Sequence, residues 1–229
     1  MHIEPPTTRL ASFRDFAKHY LMIVLSILTA LGLEAWIEHA HHTHAAAIAS
    51  MQIERELRDN LADIRASLVD NRKDIAVLEQ LEHDVAQAIR NGQSDSDINA
   101  YIQAHRERFK LSIDWPHLPS QAWDVAVANQ SAGWIDATAL RRYSNAYAGQ
   151  RAADAWLTSD STIMLDAPRM SVLSTRLNLG KAVDPTDFLG VLDQMIHTAQ
   201  ETQSHLEQLE PQISAALPAA DRSPGPPGS

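Results

Sequence analysis

The chain has no cysteine among its 229 residues, which excludes a disulfide framework, a cysteine-ligated zinc site and haem attachment through CxxCH. The absence of thiols also suits an oxidising compartment. Glycine is scarce, with 8 residues, and aromatic side chains make up only 6%. Long alternations of Val, Ile and Thr with polar residues are missing, while Ala, Leu, Gln, Glu, Asp and Arg are abundant, so the composition favours helix over sheet. Positive charge is the minority sign, with 19 Lys and Arg against 29 Asp and Glu and a net charge of −10. That balance lacks the basic footprint needed to hold phosphate backbones, and a nucleic-acid partner is set aside. Catalytic signatures are missing too. Leu179-Gly180-Lys181 lacks the spacing and the Ser or Thr of a phosphate loop, and neither a nucleophile elbow nor HExxH occurs. With no convergent acid, base and nucleophile set, the expectation is a protein that is not an enzyme.

What the chain does have is a long apolar run. From Ala17 to Ile37 there are 21 positions interrupted only by Lys18, His19, Ser26, Thr29 and Glu34, and the fourteen residues from Tyr20 to Leu33 carry no charge. A helix of about 20 residues crosses a ~30 Å hydrocarbon core. Lys18 and Glu34 lie near enough to the ends to snorkel, and Tyr20 and Trp36 stand where interfacial aromatics anchor a span. Arg9, Arg14 and Lys18 precede the run, whereas Glu34, Glu38 and Glu54 are the first charges after it. The positive-inside rule then puts the N-terminus in the cytoplasm and the remainder outside, which in a bacterium is the periplasm. A cleaved signal peptide and a buried soluble helix are the rival readings. Against the first, Glu-Ala-Trp-Ile-Glu-His follows Leu33 where a small-x-small cleavage site belongs.

The expected organisation is a cytoplasmic tail over 1–16, a transmembrane helix over 17–37, a juxtamembrane and stalk helix over 38–91, a helical bundle over 92–217 and a disordered tail over 218–229. Neither Gly nor Pro interrupts residues 33–91, so the span is free to run on into the stalk. Leu57, Leu61, Ile64, Leu68, Ile75, Leu78, Val85 and Ile89 recur at spacings that mark an amphipathic helix, with Asn71 and Glu82 inside the stripe. Ser94, Ser120, Asp136 and Asp184 are candidate caps for helices reaching about Phe109, Ser131, Leu165 and Ile213. Trp123 is expected to face inward on the second of these, together with Val127 and Gln130 or Ala126; Pro168 is expected to bend or break the third, with a continuation to Gly180. Pro211 either kinks or ends the last. The fold class is all-α, with a transmembrane helix continuing into a stalk that packs in a four- to five-helix bundle.

Glu38-His39-Ala40-His41-His42-Thr43-His44 is the one constellation with ligand character. On a helix, His39 and His42, and His41 and His44, are neighbours three apart, able to offer imidazoles to zinc or copper if another segment or a partner completes the site. A hydrated collar among lipid headgroups and a pH sensor are the alternatives. Glu34 is read as snorkelling to water or as pairing inside a helix assembly. Ser26-x-x-x-Ala30 permits close helix approach and hence a homodimer. Trp115, Trp123, Trp134 and Trp156 are read as core side chains rather than a ligand box. Glu79, Glu82 and Asp84 read as a solvated face.

The span with its trailing Leu31 to Glu38, the Glu56-Leu57-Arg58-Asp59-Asn60-Leu61 start, and the Ala122-Trp123-Asp124 to Gly133 and Leu140 to Tyr147 segments resemble a class of bacterial single-span membrane proteins. Those have an N-terminal anchor ending in a Trp-Glu-like pair, an E-L-x-x-N helix and an all-helical outer domain. The resemblance implies architecture alone and transfers no catalytic residue. The function expected is that of a non-enzymatic interaction or accessory subunit of an envelope complex, with the lipid bilayer and a protein as partners. A periplasmic bundle that senses a ligand or metal through His39, His41, His42 and His44 is the alternative; the roughly 19 residues before the span leave no room for a signalling module, so a sensor would pass its signal to a partner.

Overall fold

The computed structural model describes residues 13–160 and 167–219, and no strand occurs among them. The first helix, α1 (Phe13–Arg90), runs 78 residues without a break and joins the apolar run to the stalk. Its length is therefore about 117 Å. Gly32 does not interrupt it, and the hydroxyls of Ser26, Thr29 and Thr43 donate to the carbonyls of Met22 (2.9 Å), Leu25 (2.8 Å) and His39 (2.9 Å) one turn back. The hydroxyls in the apolar run thus find acceptors without leaving the helix, as a hydrocarbon environment demands.

Five shorter helices follow among the described residues: α2 (Asp95–Ala104), α3 (Gln121–Ala128), α4 (Ala137–Ala155), α5 (Ala167–Asn178) and α6 (Pro185–Ala216). A 3-10 turn at Arg106–Arg108 follows α2, a second at Ser131–Trp134 follows α3, and α4 runs into a π turn at Trp156–Asp160. Three of the four expected caps form. Ser94 accepts from the Asp97 amide at 3.2 Å, Asp136 from Thr138 and Ala139 at 2.9 and 3.1 Å, and Asp184 from Asp187 at 2.8 Å. Gly92 and Gly180 take the left-handed conformation (φ 70° and 64°) that stops α1 and α5.

Helix limits depart from expectation where local geometry intervenes. The helix expected to reach Phe109 stops at Ala104, and Phe109 is buried beyond the 3-10 turn. α3 stops at Ala128 instead of Ser131 because Gln130 turns left-handed (φ 66°); Ser120 makes no side-chain cap bond there. Ala126 faces the core and Val127 is exposed. α4 ends at Ala155, and the expected stretch through Ile163 to Leu165 lies outside the described residues from 161 onward. Pro168 sits in the first turn of α5, where its missing N–H leaves no helical bond unmade. Pro211 lies inside α6, which continues to Ala216. Residues 1–12 and 220–229, holding most of the expected tails, lie outside the described residues.

α1, α4 and α6 form the frame. Arg65 meets Glu210, Arg72 meets Glu207 and Glu79 meets Gln200, so α6 runs antiparallel to α1. The apolar stripe of α1 is buried in two clusters. Nearer the apolar run, Ala46, Ala49, Ile53, Leu57, Leu61, Ile64 and Leu68 pack with Tyr143, Tyr147, Leu206, Leu209 and Ile213. Farther out, Leu78, Leu81 and Val85 pack with Ile98, Ile102, Leu177, Phe188, Leu192 and Met195. Asn71, buried within the same stripe, falls between them. At Gly149, α4 lies against α6, and a Cβ there would crowd the Leu209 and Gln212 side chains.

Candidate functional site

Two polar features stand out on α1: the histidine collar at the foot of the bundle and a column of buried and half-buried polar side chains above it. The collar is divided by packing. His39, His41 and His44 are exposed, whereas His42 is half-buried, with its ring stacked on Trp134 (centroids 3.6 Å apart, planes 14° apart) and its Nε2 3.4 Å from Glu38 Oε1. Among the described residues, no three His, Asp or Glu side chains converge into a set able to hold a metal ion. Lys18, Tyr20, Glu34 and Trp36 are all exposed on the apolar part of α1, and the Tyr20 ring stacks on Phe16 at 6.3 Å.

The column belongs to the face that buries the stripe. Glu54 accepts from the Tyr143 hydroxyl at 2.7 Å, and Glu56 accepts from the Tyr147 hydroxyl at 2.6 Å and the Ala122 amide at 3.0 Å. Asn60 donates to the Pro119 carbonyl at 3.0 Å. Ser67 donates to the Asp114 carboxylate at 2.5 Å, while Asn71 donates to the Asp114 carbonyl at 2.8 Å and accepts from its amide at 2.7 Å. α1 thereby holds the proline-bearing loop between Phe109 and Ser120, which has no regular structure to satisfy its own backbone. Burial followed by the bond to Glu54 pushes the Tyr143 hydroxyl up to about 12, and burial with Glu56 pushes Tyr147 upward as well. Both phenols are donors fixed to carboxylates, an arrangement that ties α4 to α1.

Beside Glu56 opens a shallow groove of about 610 Å³, bordered by Arg55, Asp59, His117 and Val125. Its charges are mixed, and its one half-buried acid, Glu56, already has both oxygens engaged. At the far end, Asp84, on the face expected to be solvated, also ties α2 to α1. It accepts from the Tyr101 hydroxyl at 2.5 Å and from Gln80 at 2.9 Å, and the Tyr101 bond holds its carboxyl below the usual range.

Three of the four tryptophans read as core are packed: Trp123 against Tyr147, Trp156 against His205, and Trp115 with its Nε1 donating to Asp154 at 3.2 Å. Trp134 is the exception, 54% exposed. Its anchor on α1 is 92 positions away in sequence, so no local spacing signals the contact. The column had one visible signal, Asn71 inside the apolar stripe; the partners of Glu54, Glu56, Asn60 and Ser67 were not visible. No protein-family model, curated protein or solved structure matches this chain.

Proposed function

We propose that the chain is a single-span protein of a bacterial inner membrane, with a cytoplasmic N-terminus and a periplasmic helical domain, serving as a non-enzymatic interaction or accessory subunit of an envelope complex. The observation that carries this reading is the double character of α1. One unbroken helix leaves its apolar run bare and buries the apolar stripe of its stalk. A bare apolar run of that length needs a hydrocarbon solvent. The charge asymmetry across the run supports the orientation. A role in interaction is supported by the outward side of the stalk, where Ile48, Met51, Val69 and Val77 remain 37–62% exposed opposite the buried stripe. The hydrogen-bonded acids and amides of the column favour a scaffold over a reaction centre.

Affinity purification of the full-length chain from its native membrane at native expression tests the role. A stoichiometric hetero-complex is expected, and a clean monomer or homodimer overturns the accessory reading. Orientation is read separately. Since the chain has no cysteine, Ser12→Cys and Gln93→Cys each give one thiol; a membrane-impermeant reagent added from the periplasmic side should label only the second. Labelling of the first alone reverses the topology.

A further inference from the structure

Among the described residues beyond the apolar run of α1, Trp134 is the one Phe, Tyr or Trp side chain that stays exposed. Trp134 closes the 3-10 turn Ser131–Trp134, with its ring laid on His42 of α1. His42 lies six residues beyond Trp36, about 9 Å along the helix axis. The headgroup layer on each side of a bilayer is roughly 5–7 Å deep, and a span tilts by about 20° on average, so an indole beside His42 is within reach of that layer when Trp36 sits at its inner edge. Val69 and Val77 lie 27 and 35 residues beyond His42 on α1, Val172 and Leu179 belong to α5, whose Leu173 and Leu177 pack in the cluster farther out, and Ile48 and Met51, nearer to His42, are not aromatic. Tryptophan is the side chain whose apolar body and N–H suit the interface.

We propose that the Ser131–Trp134 turn docks on the lipid headgroup layer from which α1 emerges, with the Trp134 indole, steadied by His42, as the inserted group. The inference rests on the membrane-anchored reading and adds to it a second contact that fixes how the bundle sits on the bilayer. The occupant is lipid because the turn is tied to the helix that enters the membrane. Insertion, not charge, holds it: residues 128–140 contain no Lys or Arg, and their one acid, Asp136, is occupied as a helix cap. Zwitterionic lipid therefore suffices.

The chain has five tryptophans, which allows the test on the intact protein. The full-length chain carrying 5-fluorotryptophan is reconstituted in phosphatidylcholine nanodiscs, and its fluorine resonances are assigned by single Trp→Phe variants. Lipid spin-labelled at the headgroup is expected to erase the Trp36 and Trp134 signals. The Trp115 signal should persist, because its neighbour Asp114 is bonded to Asn71, about 40 Å farther along α1. His42→Ala should weaken the loss at Trp134 and leave that at Trp36 unchanged. Loss at Trp36 with a persistent Trp134 signal overturns the docking while the anchor stands. Persistence of both overturns the membrane reading itself. A Trp134 signal shielded from a water-soluble paramagnet yet untouched by labelled lipid means that protein covers the turn, which also overturns the proposal.

Discussion

Residues 13–41 and 42–90 of α1 share one backbone and have opposite surfaces. In the first part, Leu21, Met22, Ile23, Leu25, Ile27, Leu28, Leu31 and Leu33 are all more than half exposed, and no neighbouring element among the described residues covers them. In the second, Ile53, Leu57, Ile64, Leu78, Leu81 and Val85 are at most 1% exposed. The difference lies in arrangement. Within the first part the run from Tyr20 to Leu33 is apolar all round and cannot be satisfied by one packed face, whereas the second confines its apolar residues to a stripe that α4 and α6 cover. One unbroken helix carries both surfaces.

The largest effect expected to test the contrast comes from truncating matched leucines. Leu57→Ala should destabilise the bundle by about 2–5 kcal/mol, and Leu28→Ala, at a 60% exposed position, by less than about 0.5 kcal/mol. Denaturant unfolding in detergent, followed by circular dichroism, measures both; equal losses would mean that the apolar run also packs on the bundle. Next comes the column. Asn71→Ala leaves the Asp114 amide and carbonyl without their partner and should cost about 1–3 kcal/mol by the same measurement, with faster proteolysis of the loop between Phe109 and Ser120. A variant as stable as the parent would show that the loop is held some other way.

Glycine sharpens the comparison at a smaller scale. A Cβ at Gly32 meets nothing within 4 Å, while one at Gly149 crowds Leu209 and Gln212. Gly149→Leu should cost about 1–3 kcal/mol and Gly32→Leu leave the bundle's melting temperature unchanged. The smallest effect at neutral pH belongs to the tyrosines. In the folded chain Tyr143 is pushed up to about 12 from an ordinary value of 10, so its contribution is intact below pH 10 and is lost as pH rises from there toward 12. Unfolding midpoints should fall across that alkaline window, and Tyr143→Phe should flatten the fall. A parent midpoint constant to pH 12 would contradict the buried Tyr143–Glu54 pair.

Much of the architecture was legible because it is written locally. The 3-and-4 spacing from Leu57 to Val85, the absence of Gly and Pro from residues 33–91, and the caps at Ser94, Asp136 and Asp184 each act within a turn or two of helix. Where α3 stops was less legible, because the left-handed Gln130 has neither the Gly nor the Asn that announces such a turn. The collar was legible as a cluster of imidazoles, but its division was not. Besides its contact with Glu38, His42 is set apart from His39, His41 and His44 by a tryptophan that the fold brings from 92 residues away.

By itself, the sequence determined that the chain is helical, that its first long helix carries an apolar run of membrane-spanning length, and where most helices begin. These follow from periodicity, capping and side-chain size, which a helix expresses before it touches anything else. The tertiary structure alone decided which acids meet which phenols, that Asn60, Ser67 and Asn71 hold a loop, and that Trp134 stays outside the core over His42. Those choices depend on how α4 and the two loops lie against α1, and a pairing across tens of residues is set by the packing of whole faces, to which no short stretch of sequence is sensitive.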